Sequence, residues 1–248
     1  MTIIHDYLHI AVGKQYVSCP YLNNKTTKVR AGLRVHLGKG STEDIRKEVE
    51  ILARKTHTNL NNLKKDEAKK FLVDNNIGID CSGLVYHILN EEVLKNTGKP
   101  LKKFLSFPKN THLFRKLITQ FRTVENTNVV IFSDNNNSEV IPLQAVQPGD
   151  YITMLNTGKQ KNFDHILIIH QVVHEDSTPK ELHYTHSLTW KKDGKYNHGV
   201  KQGIITITDP EKSILNQIWT EKESTDQENE TFVRAKSAEM LEIRRIKT

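Results

Sequence analysis

Hydrophobic residues spaced three or four apart follow one short stretch of the chain, Gly78-Ile79-Asp80-Cys81-Ser82-Gly83. This spacing predicts a helix with one buried face, made by Leu84, Val85, Ile88 and Leu89. Asp80 is a good N-cap because its carboxylate can accept from backbone N–H groups that have no partner inside the helix. Gly78 allows the chain to bend at low steric cost. The pattern therefore predicts a tight turn that delivers Cys81 to the first turn of a helix.

Three further segments have the periodicity of amphipathic helices. Ser41-Thr42-Glu43-Asp44 can cap a helix that runs to about Arg54, with apolar side chains on one side. A second helix is predicted over residues 64–73 and a third over residues 111–121. An apolar stripe of this kind packs into a core more often than it binds a partner.

The second half of the chain is predicted to form strands separated by turns. Apolar runs of strand length end there at Gly, Pro, Asn or Asp. The predicted strands are residues 128–133, 151–155, 165–173, 181–187, 203–208 and 238–246. Residues 221–230 are all polar, so we predict a loop that contributes nothing to the core.

Composition excludes several classes of protein. No apolar run approaches the about 18 residues of a membrane-spanning helix, so no membrane span is predicted. The two cysteines cannot build a disulfide framework, and nothing resembles the paired cysteines of a zinc site. The net charge of +7 comes from lysines spread along the chain, and no nucleic-acid-binding module is recognisable. Nucleic acid is therefore not the expected partner.

Length and the N-terminal residues set two further expectations. A chain of 248 residues can bury one sizeable core, so we predict a single domain with insertions. The first residues contain neither a basic region nor an apolar region of the kind found in a secretory signal. The expected location is therefore the cytoplasm, unless a segment has been removed.

Cys81 is the candidate nucleophile. At the first turn of a helix, unpaired N–H groups and the positive end of the helix dipole favour the thiolate, the form that attacks a carbonyl carbon. The same amides could hold an oxyanion. The alternative is a buried structural cysteine, since free cysteine is among the most buried residue types.

Two histidines in the predicted strands, His165 and His186, are candidate partners for that thiol. Side chains alternate between faces along a strand, so His170, five positions after His165, points to the other face. His183, three positions before His186, is opposed to it in the same way. Each strand therefore offers one histidine to a shared site, which argues against a four-histidine metal cluster and predicts no metal or other cofactor. The alternative for His165 is a strand-end histidine bonded to the backbone.

This order of residues resembles the NlpC/P60 family of cysteine peptidases. The family pattern has counterparts in Asp80-Cys81-Ser82-Gly83, Pro148-Gly149-Asp150, His165-Ile166-Leu167-Ile168 and His186-Ser187. The resemblance implies an α+β fold with a papain-like NlpC/P60 core, in which helices pack on an antiparallel, partly barrel-shaped sheet. It implies one catalytic domain over residues 1–248, with a helical insertion at about 23–77 before the catalytic helix and a second insertion at about 98–140.

The resemblance also implies the catalytic roles. Cys81 is expected to be the nucleophile and His165 the base. His186 is expected to accept a hydrogen bond from His165 and to fix its tautomer. The backbone N–H of Cys81 and the hydroxyl of Tyr16 are the expected oxyanion donors.

A substrate-binding group is implied next to the cysteine. Tyr16, Asp80 and Ser82 match the positions that bind a free N-terminal amine in family members that cleave short muropeptides. The alternative is structural, with Asp80 only capping the helix. The chain departs from the family around Tyr16, where Gln15 replaces a proline and the usual Trp-Gly-Gly is missing. The departure falls in the segment that lines the active site in the family.

The implied function is cysteine-dependent hydrolysis of amide bonds in peptidoglycan stem peptides, of the γ-D-glutamyl endopeptidase type. The expected partner is a peptidoglycan fragment or another peptide. A thiol acyltransferase or amidase on the same fold is one alternative, and it would need an apolar acyl channel. A catalytically degenerate binding module is another, favoured by the missing Trp-Gly-Gly and opposed by the intact cysteine and histidines. A salt-dependent gel shift would reveal a nucleic-acid-binding protein.

Overall fold

The computed structural model describes residues 2–23, 33–107, 122–222, 224–225 and 228–248. The chain divides into two compact units. The first comprises Met1–Ile88 and Ser187–Lys201, and the second comprises Leu89–His186 and Gln202–Thr248. Helices and antiparallel strands are both present, so the expected α+β class is confirmed. None of the described helices is both long enough and apolar enough to cross a bilayer.

The first unit is mainly helical. Its α-helices are α1 (Thr2–Leu8), α2 (Thr42–Lys55), α3 (Lys65–Asp74) and the first turns of α4 (Cys81–Thr97). An antiparallel hairpin pairs β1 (Ile10–Val12) with β2 (Gln15–Val17). Short 3-10 helices occupy Arg34–Leu37, Leu60–Asn62 and Lys191–Asp193.

The helices α2 and α3 lie where the sequence predicts them. The Ser41 hydroxyl accepts from the Asp44 N–H, and the Asp44 carboxylate accepts from the Ser41 N–H, so a capping box starts α2. Ile45 and Val49 are buried and lie one turn apart on the face that packs. These two predicted helices are confirmed to within one residue at each end.

The second unit contains most of an eight-stranded sheet. Its strands are β3 (Ser138–Val140), β4 (Tyr151–Thr157), β5 (Phe163–Glu175), β6 (Thr178–Leu188), β7 (Gly199–Thr206), β8 (Ile218–Glu221), β9 (Ser224–Thr225) and β10 (Met240–Ile246). They follow the order β3-β10-β4-β5-β6-β7-β8-β9. Neighbours pair antiparallel, as in β4 with β5 and β7 with β8. Within the described residues the sheet is open, with β3 and β9 at its edges, so the expected partly barrel-shaped sheet does not close.

Two short helices, α5 (Thr123–Asn126) and α6 (Val129–Ser133), precede β3. The strand predicted at residues 128–133 is therefore wrong. The Asn128 side chain accepts from the Ile131 N–H and caps a helix there. An apolar run this short cannot be assigned to helix or strand by periodicity alone. The helix predicted at residues 111–121 lies outside the described residues.

The core of the second unit lies around its central strands. Residues 151–154 of β4 and 166–169 of β5 are all buried. Strands buried on both faces have continuous apolar sequences rather than alternating ones, which accounts for the run Ile166-Leu167-Ile168-Ile169. The helix α7 (Glu230–Ser237) adds Phe232 and Ala235 to this core. Short 3-10 helices in this unit are Leu101–Lys103, Leu143–Ala145 and Ile214–Asn216.

Candidate active site

Cys81 is the first residue of α4, and the turn before it is held by backbone bonds of the first unit. The Ile79 N–H donates to the Pro20 carbonyl at 2.9 Å, and the Asp80 N–H donates to the Gly38 carbonyl at 2.9 Å. A Cβ on Gly78 would lie 2.6 Å from the Pro20 carbonyl oxygen, so this position requires glycine for space. The Asp80 carboxylate accepts from the Gly83 N–H at 2.6 Å, as expected of an N-cap. The predicted turn and helix start are confirmed.

Lys39 contacts the two polar residues that flank the cysteine. Its Nζ donates to Asp80 Oδ1 at 3.0 Å and to Ser82 Oγ at 2.6 Å. Ser82 Oγ in turn donates to Asp80 Oδ1 at 3.1 Å. The side chains of Lys39 and Asp80 are only 7% and 13% exposed, so water screens this ion pair weakly. Local patterns in the sequence do not predict Lys39 at this site, because it lies 41 residues before Asp80 in the chain.

Tyr16, the third predicted substrate-binding residue, has a different environment. It lies in the middle of β2 and is 62% exposed, whereas Ser82 is buried and Asp80 nearly so. The substrate-binding roles of these three residues remain a prediction.

The other cysteine, Cys19, lies in an environment that suppresses its reactivity. Its side chain is fully buried and its Sγ lies 3.7 Å from the Pro20 carbonyl oxygen. Burial raises the pKa of the Cys19 thiol to about 12, so it stays protonated near neutral pH. Cys19 is therefore not a candidate nucleophile.

In the second unit, His165 on β5 and His186 on β6 are in hydrogen-bond contact. His165 Nε2 and His186 Nδ1 are 2.8 Å apart, and both residues are at most 1% exposed. The rings meet edge to face, with centroids 5.0 Å apart. Two imidazoles fixed in this way can share only one proton across the contact, so each determines the tautomer of the other.

A buried carboxylate, Glu221 at the end of β8, completes this group of residues. Its Oε2 accepts from His186 Nε2 at 3.0 Å, from the Tyr184 hydroxyl at 2.8 Å and from the Thr231 hydroxyl at 3.0 Å. The sequence placed Glu221 in a polar loop outside the core, and that prediction is wrong at this residue, which is 1% exposed. Alternation was the available signal, because Trp219 and Glu221 are two apart in a strand and share its buried face.

These contacts determine where the protons lie. An ionised carboxylate only accepts, so His186 carries its proton on Nε2 and donates to Glu221. A neutral His186 then has a lone pair on Nδ1, and His165 must donate to it from Nε2. The remaining nitrogen of His165, Nδ1, then carries a lone pair rather than a proton, which is the form that a base requires. We call these three residues, His165, His186 and Glu221, the imidazole chain.

Tyr184 supports Glu221 from the same strand as His186. Burial, followed by the neighbouring charge of Glu221, raises the pKa of Tyr184 well above its usual value, so its hydroxyl stays a donor. Gly203 faces Glu221 across the β7–β8 pair. A Cβ on Gly203 would lie 2.3 Å from the Tyr184 hydroxyl oxygen, so glycine leaves the space through which Tyr184 reaches the carboxylate.

The opposite faces of β5 and β6 carry His170 and His183, as the alternation predicts. His170 Nδ1 lies 3.0 Å from the Thr185 hydroxyl, and His183 Nε2 lies 2.8 Å from Glu181. Burial, and then the proximity of His183, lowers the pKa of His170 to about 4. Within the described residues, no group of three or more His, Cys, Asp and Glu side chains has the arrangement of a metal site.

The structure thus forms two groups of candidate residues, each inside one unit. Cys81, Asp80 and Ser82 lie together with Lys39 in the first unit, and His165 and His186 lie together with Glu221 in the second. Compared with models of protein families, with curated proteins and with solved structures, the chain has no match. The chemistry of these two groups is therefore the basis for proposing a function.

Proposed function

We propose that the chain is a cysteine-dependent hydrolase of amide bonds, with a papain-like NlpC/P60 core. The observation that carries this proposal is the buried imidazole chain. A histidine whose tautomer is fixed by a second polar group is the usual partner of a nucleophilic thiol or hydroxyl. Burying two imidazoles and a carboxylate costs stability, and this cost supports a role for the group beyond packing.

In the first half of the proposed reaction, Nδ1 of His165 takes the proton of the Cys81 thiol. The thiolate attacks the carbonyl carbon of the amide, and negative charge develops on the carbonyl oxygen. The backbone N–H of Cys81, at the first turn of α4, is a donor for that oxygen. When the C–N bond breaks, His165 gives its proton to the leaving amine, and the acyl group remains on Cys81 as a thioester.

In the second half, His165 removes a proton from water. The hydroxide attacks the thioester carbonyl and the C–S bond breaks, releasing the acid. His165 then returns its proton to the Cys81 thiolate, which restores both residues. The net change is amide plus water to carboxylic acid plus amine. Protonated His165 exists in both halves, and the negative charge of Glu221, acting through His186, stabilises it each time.

One contact inside the first unit involves the residue that follows His186 in the chain. Ser187 directly follows His186 in the chain, and its hydroxyl donates to the Ile79 carbonyl oxygen at 2.8 Å. Ile79 belongs to the turn that presents Cys81. The residue next to His186 is therefore bonded to the segment that positions the proposed nucleophile.

For the substrate we propose peptidoglycan stem peptides, with cleavage at a γ-D-glutamyl bond. The support is the resemblance carried by Asp80-Cys81-Ser82-Gly83, Pro148-Gly149-Asp150 and His165-Ile166-Leu167-Ile168. An acyltransferase would pass the same thioester to an amine or alcohol instead of water. A product in which the acyl group has moved to an added acceptor would identify that activity.

The test is product analysis by mass spectrometry after incubation with synthetic stem peptides, in free and N-acetylated form. Cys81→Ala should reduce hydrolysis by at least about 10³-fold, because it removes the nucleophile. Cys19→Ala is the matched control, and it should retain activity if its melting curve shows a folded protein. Iodoacetamide should label Cys81 faster than Cys19. Full activity in Cys81→Ala would overturn the proposal.

A further inference from the structure

We infer that Lys39 determines substrate specificity, because its ammonium fills the cation-binding position beside Cys81. The chain then acts on substrates whose group at this position is neutral or anionic, such as a peptide with an acylated N-terminus. This inference rests on the proposed function. It is the opposite of the binding of a free N-terminal amine that the family resemblance implies for Asp80 and Ser82.

The carboxylate beside the nucleophile is already occupied. Asp80 Oδ1 accepts from Lys39 Nζ, from Ser82 Oγ and from the Gly83 N–H, at 3.0, 3.1 and 2.6 Å. One carboxylate oxygen with three donors has little capacity left for another. A substrate ammonium that bound Oδ1 would have to displace Lys39, since it carries the same charge and seeks the same acceptor.

Lys39 is held in this position by its backbone. Its N–H donates to the Arg34 carbonyl at 2.8 Å, and it forms an antiparallel bridge with Ile79, two residues before the cysteine. Its carbonyl oxygen lies 3.0 Å from Nε2 of His87, which must donate because a carbonyl only accepts. These contacts distinguish Lys39 from a surface lysine that swings between partners.

The helix also leaves room for the lysine stem. A Cβ on Gly83 would lie 3.1 Å from the Cδ of Lys39 and 2.6 Å from the Gly38 carbonyl oxygen. Glycine at this position therefore allows both the close backbone approach and the path of the Lys39 side chain. The site is shaped around an ammonium that the chain itself supplies.

The electrostatic consequence is a selection against cations. Lys39 and Asp80 together have no net charge, so an approaching ammonium gains no net attraction to the pair and is repelled by the Lys39 ammonium. Because water screens this repulsion weakly, it distinguishes cationic from neutral substrates more strongly than the same charges would at an open surface. A stem peptide still attached to its sugar has an acylated N-terminus, whereas a released stem peptide has a free amine. The inference therefore points to the attached form.

The experiment compares kcat/KM for one stem peptide with a free and with an acetylated L-Ala. The native chain should favour the acetylated form by about tenfold or more, the value of one charge-assisted contact. Lys39→Met leaves Asp80 without its ammonium, so the ratio should shift by about tenfold or more toward the free amine. Lys39→Arg keeps the charge and should keep the native preference.

Lys201→Met is the matched control, because Lys201 is also a buried, ion-paired lysine of the first unit, bonded to Asp193 at 2.9 Å. Its substitution should leave the ratio unchanged. If Lys39→Met does not fold, the native chain's relative kcat/KM for the two peptides still tests the inference. Cys81-dependent hydrolysis that is faster with the free amine, or a ratio that Lys39→Met does not alter, would overturn the role of Lys39. Failure to hydrolyse either peptide would instead overturn the proposed function.

Discussion

The two faces of β5 and β6 carry the same type of residue in opposite settings. On one face, His165 and His186 are buried, 2.8 Å apart, and linked to Glu221. On the other, His170 and His183 are half-buried, with ring centroids 6.3 Å apart. The strands and the residue type are shared, so the difference must come from what surrounds each pair.

The difference teaches what makes a histidine a usable base. On the face of the imidazole chain, a carboxylate fixes one proton and leaves a lone pair at the far end. On the opposite face, His170 contacts the Thr185 hydroxyl and lies 3.4 Å from the Gln202 amide nitrogen, both neutral groups. Burial, and then the proximity of His183, lowers the pKa of His170. His170 is thus kept neutral near neutral pH.

The largest expected effect separates the two histidines of β5. His165→Ala should reduce kcat/KM by about 10²–10⁴-fold, because it removes the proposed general base. His170→Ala should change it by less than about twofold, because that side chain lies on the opposite face. The measurement is steady-state hydrolysis of a stem peptide. Equal losses in the two variants would show that the faces do not differ in function.

A smaller effect is expected for the two histidines of β6. His186→Gln should cost about tenfold less than His165→Ala, because an amide can still accept from His165 but relays the charge of Glu221 poorly. His183→Gln is the matched control and should leave kcat/KM unchanged. If His186→Gln costs as much as His165→Ala, the two imidazoles act as a single unit or their roles are reversed.

A third test compares two glutamates bonded to these histidines. Glu221→Gln keeps an accepting oxygen for His186 but loses the charge that stabilises protonated His165, so kcat should fall by about tenfold. The pH at which activity appears should also change, because the base becomes harder to protonate. Glu181→Gln, which alters the partner of His183, should change neither quantity. An unaltered pH profile in Glu221→Gln would remove the carboxylate from the mechanism.

The smallest effect concerns stability and pH. The pKa of His170 is lowered from 6.5 to about 4, so between these values the unfolded chain binds a proton that the folded chain excludes. Stability should therefore fall as the pH falls through this window. His170→Gln should lose less stability than the native chain over this range, as measured by urea unfolding. His174→Gln, at an exposed position of the same strand, is the control and should follow the native curve.

Local sequence signals were sufficient to predict the positions of some of these residues but not of others. The turn before Cys81 and the facing of the four histidines follow from short-range spacing, which is why they could be predicted. Lys39 and Glu221 reach their partners across 41 and 35 residues, and such contacts leave no trace in local spacing. Glu221 begins a polar run that has the composition of a loop, and only its register with Trp219 indicated an inward position.

The mistaken strand at residues 128–133 shows the same limit at a smaller scale. Four apolar residues fit either a strand or a single helical turn. Two interactions favour the helix. The Asn128 side chain caps it, and Phe132 packs against Tyr151 with ring centroids 5.5 Å apart. Neither interaction is visible from hydropathy alone.

Gly203 has a consequence for how this protein can evolve. Its missing side chain is the space through which Tyr184 reaches Glu221, so a larger residue at position 203 displaces the tyrosine hydroxyl from the carboxylate. A lineage that loses this glycine must therefore also lose the tyrosine or relocate the acid. In relatives that share the site, we expect Gly203, Tyr184 and Glu221 to be inherited or lost together, and this co-inheritance would identify the imidazole chain where overall similarity has faded.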